Sequence, residues 1–556
     1  MGPAGAIAVA TLVFVVLFWR LGAVSFWDPD EAHYAETTRE LIVTGDWWAP
    51  YYNEQPFFDK PIFFHQLQAV AMFVTGQNEL GARIVPALAA LALVIFTGWL
   101  GATLISVDAG LVAALLLATN PGTFALARYA ILDTLFTALL FGGAGLLAVA
   151  ALRDRPALQY AGYVLIAGAV MTKGPLAFVL CGLAMGLSIA MSADVRRRLL
   201  ALHWITGLGI AIAISAPWFV YMYLRFRGAF VNGYALDENI RLFATNRFDN
   251  QPPFWFYFQI LATGMLPWTG VAIGRLVDDV RAAASDRQRD SHASVDVMLW
   301  AWTIAIVGFF TFSRFKLDHY VYPAAPALCL LIAHAWTDIR EFPDASGNRG
   351  ARVGLRLVGP LLLVLGAAAT YFLLAVLELP VATLIVPVLI VAGGLIITVR
   401  ANVRNERPPR VPWIALTALT TIYAGILLFV MPALEKQKVI PDLARWVASR
   451  AEPGTRVASY QLNRWNTAFR FYVDQHVTML DDVDQIVELL NVSGGPESFF
   501  CVMPGEGYDD LIAQGLPLKE VYAREGMWAT SGRALWRRGI PATRFVVVTS
   551  RDGTER

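Results

Sequence analysis

Long apolar segments recur along this chain from residue 7 to about residue 431, and they constrain its fold more than any motif does. A bilayer core about 30 Å thick is crossed by about 20 helical residues. Inside it, backbone N–H and C=O groups must find their partners within the helix. Thirteen segments read as spans: 7–24, 80–104, 108–124, 133–152, 160–170, 175–191, 200–221, 255–276, 297–312, 320–336, 357–377, 381–399 and 412–431. The 556 residues are 57% hydrophobic and 16% charged, against roughly 45–50% and 25% in soluble proteins. A soluble multidomain enzyme and a disordered scaffold are excluded. A net charge of +1 leaves no electrostatic footprint for nucleic acid. Cys181, Cys329 and Cys501, odd in number and scattered, offer neither a disulfide framework nor a zinc ribbon. The expected fold is an all-α polytopic membrane protein of about thirteen transmembrane helices.

Residues 62–76 are apolar but would reach only about 22 Å as a helix, and they carry His65, Gln66 and Gln68. They are expected to lie at the interface as a juxtamembrane helix. The first run, 7–24, lacks a cationic leader and a small-residue cleavage site, and reads as a retained span. With thirteen spans and a cytoplasmic N-terminus, the inner loops hold Arg153, Arg196, Arg197, Arg198, Arg340, Arg352 and Arg410. The outer loops hold Asp28, Asp30, Glu31, Asp59, Asp133, Asp237 and Glu238. That is the positive-inside bias. It places the chain in the cell inner membrane with its C-terminal part outside. From residue 436 the composition turns soluble: 456–460, 477–480, 499–503 and 545–549 read as strands, with 484–490 and 508–514 helical between them. Residues 1–435 thus form the membrane domain, and 436–556 a small outer α/β domain.

The first outer loop reads Trp27-Asp-Pro-Asp-Glu-Ala-His-Tyr34. Its acids suit three roles. Asp30 can cap a helix that continues through Glu31 and His33, or a carboxylate here can act as a general base on an acceptor hydroxyl or amine, or hold a metal. The loop ends in Phe57-Phe-Asp-Lys-Pro61, where Lys60 either snorkels to headgroups or contacts a phosphate, with Asp59 available to a metal. Asp133 opens the fourth span on the same side, and Lys173-Gly-Pro175 breaks the chain between two spans there.

Asp-Glu-x-x-Tyr, Asp59-Lys60-Pro61, Asp133, Lys173-Gly-Pro and Lys316-Leu-Asp-His-Tyr320-Val-Tyr-Pro323 occur in that order. Together they resemble the glycosyltransferase-C superfamily, in the branch of aminoarabinose lipid A transferases and protein O-mannosyltransferases. The resemblance implies an inverting glycosyltransferase that takes a sugar from a polyprenyl-phosphate donor to a periplasmic acceptor such as lipid A, another envelope glycan or a protein. It implies Asp30 as the catalytic base. It also implies a donor-phosphate and substrate site drawn from Glu31, His33, Tyr34, Lys60, Asp133, Lys173, Arg241, Arg247, Lys316, His319 and Tyr320. Asp59 matches a glutamate near a metal in the aminoarabinose enzymes, which makes a divalent ion (Zn, Mg or Mn) a candidate cofactor that a monophosphate donor does not oblige. The chain departs from that pattern at His33, where the aminoarabinose enzymes have arginine, and at Asn239 and Asn250, where they have histidines. The sugar therefore does not follow from the resemblance. A polymer ligase of related fold and a lipid-linked sugar transporter or flippase are the alternatives. Charges gathered at loop edges on one side, without an evident inverted repeat, favour the transferase.

Overall fold

Chain breaks coded by proline, asparagine and glycine cut the apolar text into helices. The computed structural model describes residues 2–245, 252–284, 293–343, 345–403, 408–462, 467–492, 499–528 and 543–550. Among these, seven helices are long and apolar enough to cross a membrane: Glu79–Leu104, Asp133–Leu152, Trp204–Ala244, Ala293–Phe312, Arg349–Val376, Val381–Arg400 and Trp413–Glu435. Asn78 starts the first of them by accepting from the Gly81 N–H at 3.0 Å.

Several expected spans differ from this pattern. The segment 255–276 is not one helix: Phe256–Gly264 and Thr269–Ala284 meet at 115°. Pro267, which has no N–H to donate, lies in the break. The segment 108–124 divides into Val107–Ala118 and Pro121–Leu126, because Asn120 Oδ1 accepts from Thr123 N at 3.2 Å and restarts the helix with Pro121 at its first position. The helix expected from Tyr320 begins at Ala325, after a 3₁₀ stretch Asp318–Ala324 that contains Pro323. Residues 62–76 do form a short helix, Phe63–Thr75.

The C-terminal strands pair in the order Val477–Leu480, Arg456–Tyr460, Phe499–Pro504, Thr543–Ser550, Leu518–Gly526. The first three run parallel and the last two antiparallel to their neighbours. Leu518–Gly526 and the helices Ile440–Ala448 and Thr467–Val473 went unread in the sequence. One face of this sheet shares its core with the first outer loop, for Phe26, Ala32 and Ala35 pack with Leu443, Phe469, Phe471 and Val547. The polar helix Asp30–Thr44 is consequently buried almost throughout, Glu36, Thr37, Thr38 and Glu40 included.

Candidate active site

Asp30 opens the helix Asp30–Thr44 as its first residue, because the N-cap is Pro29 and no side chain caps the turn. Half-buried, it lines a cavity of about 740 Å³ with Trp27, Phe124, Arg128, Ile260, His319 and Leu427. A smaller pocket of about 90 Å³, walled in part by Phe243, Phe309 and Phe310, carries the polar groups of Asp59, Lys60, Lys173, Tyr234, Glu238 and Tyr320 and is called the polar pocket for them. Consecutive residues serve the two spaces, His319 the large one and Tyr320 the small one.

Paired charges line the smaller space, and through Asp133 they reach His319 on the wall of the larger one. Lys60 Nζ lies 2.5 Å from Asp59 Oδ1 and 3.8 Å from Glu238 Oε2. Lys173 Nζ lies 2.5 Å from Asp133 Oδ1 and sits 4.5 Å over the Tyr320 ring. His319 Nε2 faces Asp133 Oδ2 at 3.6 Å. Burial pushes the Asp30 carboxyl above its ordinary pKa, His319 opposing and Asp318, Asp59 and Asp133 adding. Burial acts on Asp59 in the same sense, but Lys60, Glu238 and His33 outweigh it and hold that carboxyl below the usual range. Lys60 is held cationic, since Asp59 and Glu238 outweigh the burial that would discharge it. The phenol of Tyr34 stacks on His65, and burial together with Asp59 and Asp133 pushes its pKa up. Gly174 ends the helix Leu158–Lys173 at φ 82, and a Cβ there would stand 2.1 Å from Tyr234 Oη. Only glycine lets Tyr234 close that side of the pocket.

Four candidates part from the expected site, and a fifth, Arg247, is not among the described residues. Glu31 is fully buried, and Arg83 holds it through Nε–Oε1 at 2.6 Å and Nη2–Oε2 at 2.9 Å. It also accepts from Trp27 N and Ala130 N, so it braces the loop and is not presented to a substrate. His33 is buried edge-on against Phe57 and Tyr52, and burial pushes its pKa down to about 4, which leaves a neutral imidazole with no charge for a phosphate. Arg241 is exposed and pairs with Asp237 at 2.6 Å, lining neither space. Lys316 donates to Ser313 O at 2.7 Å, also outside both linings. Arg247, like Asn250, lies outside the described residues. Glu238 and Asp318, which line the two spaces, were not singled out as site residues. Their signal was present, since Asp318 lies inside the motif Lys316-Leu-Asp-His-Tyr320 and Glu238 is one of the outer-loop acids.

The candidate metal has a poor donor set. Among the described residues no group of three His, Cys, Asp or Glu is disposed to hold an ion. Beside Asp59, the residue the resemblance offers to a metal, the Lys60 ammonium already reaches both that carboxylate and Glu238.

Residues 7–231 match the dolichyl-phosphate-mannose-protein mannosyltransferase family. The undecaprenyl phosphate-α-4-amino-4-deoxy-L-arabinose arabinosyl transferase of Erwinia tasmaniensis is 28% identical over 315 residues, 56% of this chain and 55% of that protein. A second such transferase, from Pseudomonas fluorescens, is 31% identical over 340 residues, 59% and 55% of the two chains. The chain thus spans just over half the length of these curated relatives. In fold the likeness is wider. ArnT from Cupriavidus metallidurans, solved bound to undecaprenyl phosphate, superposes with a TM-score of 0.76 at 22% identity, over 99% of this chain and 98% of that one. The archaeal oligosaccharyltransferase AglB from Archaeoglobus fulgidus follows at 0.51 and 11% identity, over 90% and 68%. The chain therefore resembles the glycosyltransferase-C superfamily in fold over nearly its whole length and in sequence over its N-terminal part, the likeness its motifs predict.

Proposed function

We propose that this protein is an inverting membrane glycosyltransferase that moves a sugar from a polyprenyl-phosphate donor to an acceptor on the outer side of the cell inner membrane. The observation that carries the reading is one carboxylate, Asp30, on the wall of a large, mainly apolar cavity and in the field of a lysine-bearing polar pocket. The polar pocket suits the donor phosphate. Lys60 and Lys173 would stabilise the charge that builds on the phosphate as it leaves. The larger space suits an acceptor with an apolar body, such as a glycolipid. The acceptor O–H attacks the anomeric carbon and gives its proton to Asp30. The bond from that carbon to the phosphate oxygen breaks on the opposite face, inverting the centre and releasing polyprenyl phosphate. No step needs a metal.

Thirteen crossings, with the N-terminus inside and residues 436–556 outside, are part of the same proposal. The contacts between loops support this topology. Asp108, at the inner end of the segment 108–124, meets Arg340 and Arg410, from two loops assigned to the inner side, at 3.0 Å or less. The loops carrying Asp59, Asp133, Lys173, Glu238 and His319, all assigned to the outer side, meet at the polar pocket.

Mass spectrometry of the cell envelope with and without the gene tests the proposal. A hexose or pentose increment missing from one glycolipid or protein identifies both sugar and acceptor. An unchanged envelope, under conditions where the protein is made, refutes the reading.

A further inference from the structure

The C-terminal part grips the very loop that presents Asp30. Thr467 Oγ1 and Ala468 N both donate to Asp28 Oδ1 at 2.8 Å, and Thr467 Oγ1 also lies 3.2 Å from Pro29 O. One turn on, Arg470 binds Glu36 Oε1 through Nε at 2.7 Å and Glu40 Oε1 through Nη2 at 2.8 Å. Tyr472 Oη accepts from Phe26 N at 2.8 Å and donates to Glu79 at 2.7 Å. From the other side the buried Lys438 ammonium donates to Ser25 O at 2.8 Å. Phe26 and Phe471 meet edge to face at 4.9 Å. The loop is thus fixed at Ser25, Phe26 and Asp28 by groups more than 400 residues away in the chain. Hydrophobic packing alone would hold the two parts together. Directional bonds to a buried carboxylate two residues before Asp30 hold a position.

We infer that the C-terminal domain is a positioning element of the active site, and that Thr467 and Tyr472, acting through Asp28 and Phe26, set the place from which Asp30 enters the cavity. This rests on the reading of Asp30 as the base. Burial pushes the Asp28 carboxyl up to about 7 against the pull of the Ala468 N–H and the Thr467 hydroxyl, so its charged form depends on those donors. Misplacing a reacting group by about 1 Å costs on the order of 100-fold in rate.

The test is a double-mutant cycle on the purified full chain, with turnover, donor KM and thermal unfolding all measured. Thr467→Val keeps the shape and removes the hydroxyl. It should lower kcat by about 10- to 100-fold with donor KM nearly unchanged and only a modest fall in unfolding temperature, as one bond to a buried carboxylate is lost, and Thr467→Ser should restore both rate and stability. Tyr472→Phe, which keeps the ring and removes both hydrogen bonds, should behave like Thr467→Val and serves as the probe if that variant folds poorly. In an Asp30→Asn background, either substitution should change the residual rate by less than about twofold, because the group it positions is already gone. Wild-type kcat in both variants overturns the inference, as does an equal loss in the Asp30→Asn background. Normal turnover by Asp30→Asn alone refutes the general-base reading itself, and the positioning role falls with it.

Discussion

Replacing Asp30 by Asn separates a base from a structural acid, and the local geometry fixes how large each effect should be. The helix Asp30–Thr44 starts with Pro29 at its N-cap and no side-chain cap, so the substitution removes no capping bond. The charge it removes gains about 0.3–1 kcal/mol from the helix dipole, and the burial that raises the Asp30 pKa opposes that gain, so the net change in stability is small. A general base contributes about 10²–10⁴-fold in rate, equivalent to roughly 2.7–5.5 kcal/mol of barrier. Turnover should therefore collapse while unfolding temperature and donor affinity hardly move. The wild-type pH profile supplies the second readout. The base works deprotonated, and burial raises the Asp30 pKa above its ordinary 3.8. The value of kcat/KM should rise with pH through that raised pKa, and the acid limb should disappear in Asp30→Asn. The assay is sugar transfer by purified protein in nanodiscs, on the acceptor that envelope mass spectrometry identifies. Near-normal turnover of Asp30→Asn with an unaltered acid limb would refute the assignment. The role would then pass to Asp318, the other carboxylate on the wall of the same cavity, where His319 Nδ1 contacts it at 3.2 Å.

On the proposed role of Lys60, Lys60→Ala would remove one charge-assisted contact to the donor phosphate, worth about 1.5–3 kcal/mol, so equilibrium binding of polyprenyl phosphate should weaken roughly 10- to 100-fold, and unchanged affinity would count against a phosphate role. Glu31→Gln breaks a buried bidentate pair with Arg83 and should destabilise the protein by about 3–5 kcal/mol, read as a large drop in unfolding temperature; a folded, stable variant with a pure donor-binding defect would restore Glu31 to the substrate site. Chelation of divalent ions should leave turnover unchanged, because Lys60 supplies the cation between Asp59 and Glu238; loss of activity with recovery on adding Mg²⁺, Mn²⁺ or Zn²⁺ would establish a metal requirement.

Adjacency in sequence made part of this site legible. Asp59 and Lys60 are neighbours beside a proline stop, which marks both from sequence, although the sequence offers Lys60 to a phosphate and Asp59 to a metal and the structure pairs the two with each other. The pair Asp133–Lys173 was readable only as two separate marks, because 40 residues and a whole helical hairpin lie between its members. The contacts of Asp28 with Thr467 and Ala468 cross about 440 residues, and no local rule reports them. Helix ends were lost for a different reason. Hydropathy averages over a window, whereas Pro267 and the Asn120–Pro121 step act at single positions. Those breakers were in the text, and the apolar run hid them.

The acidic loop shows most clearly where sequence reasoning stops. Asp28, Asp30 and Glu31 fall within four residues, and that density pointed to chemistry. The structure gives the three carboxylates three different surroundings. Asp28 precedes the helix and turns toward the C-terminal domain, where a hydroxyl and a backbone N–H bind it. Asp30 and Glu31 are consecutive helical residues, so their side chains diverge by about 100° around the axis. One then lines the cavity, and the other is drawn inward to Arg83. Packing decides which direction is the cavity, and that packing is contributed by Phe26, Ala32 and Ala35 against a domain encoded after residue 436. A cluster of acids can therefore announce a site from sequence alone. Which acid serves it depends on what the rest of the chain leaves uncovered.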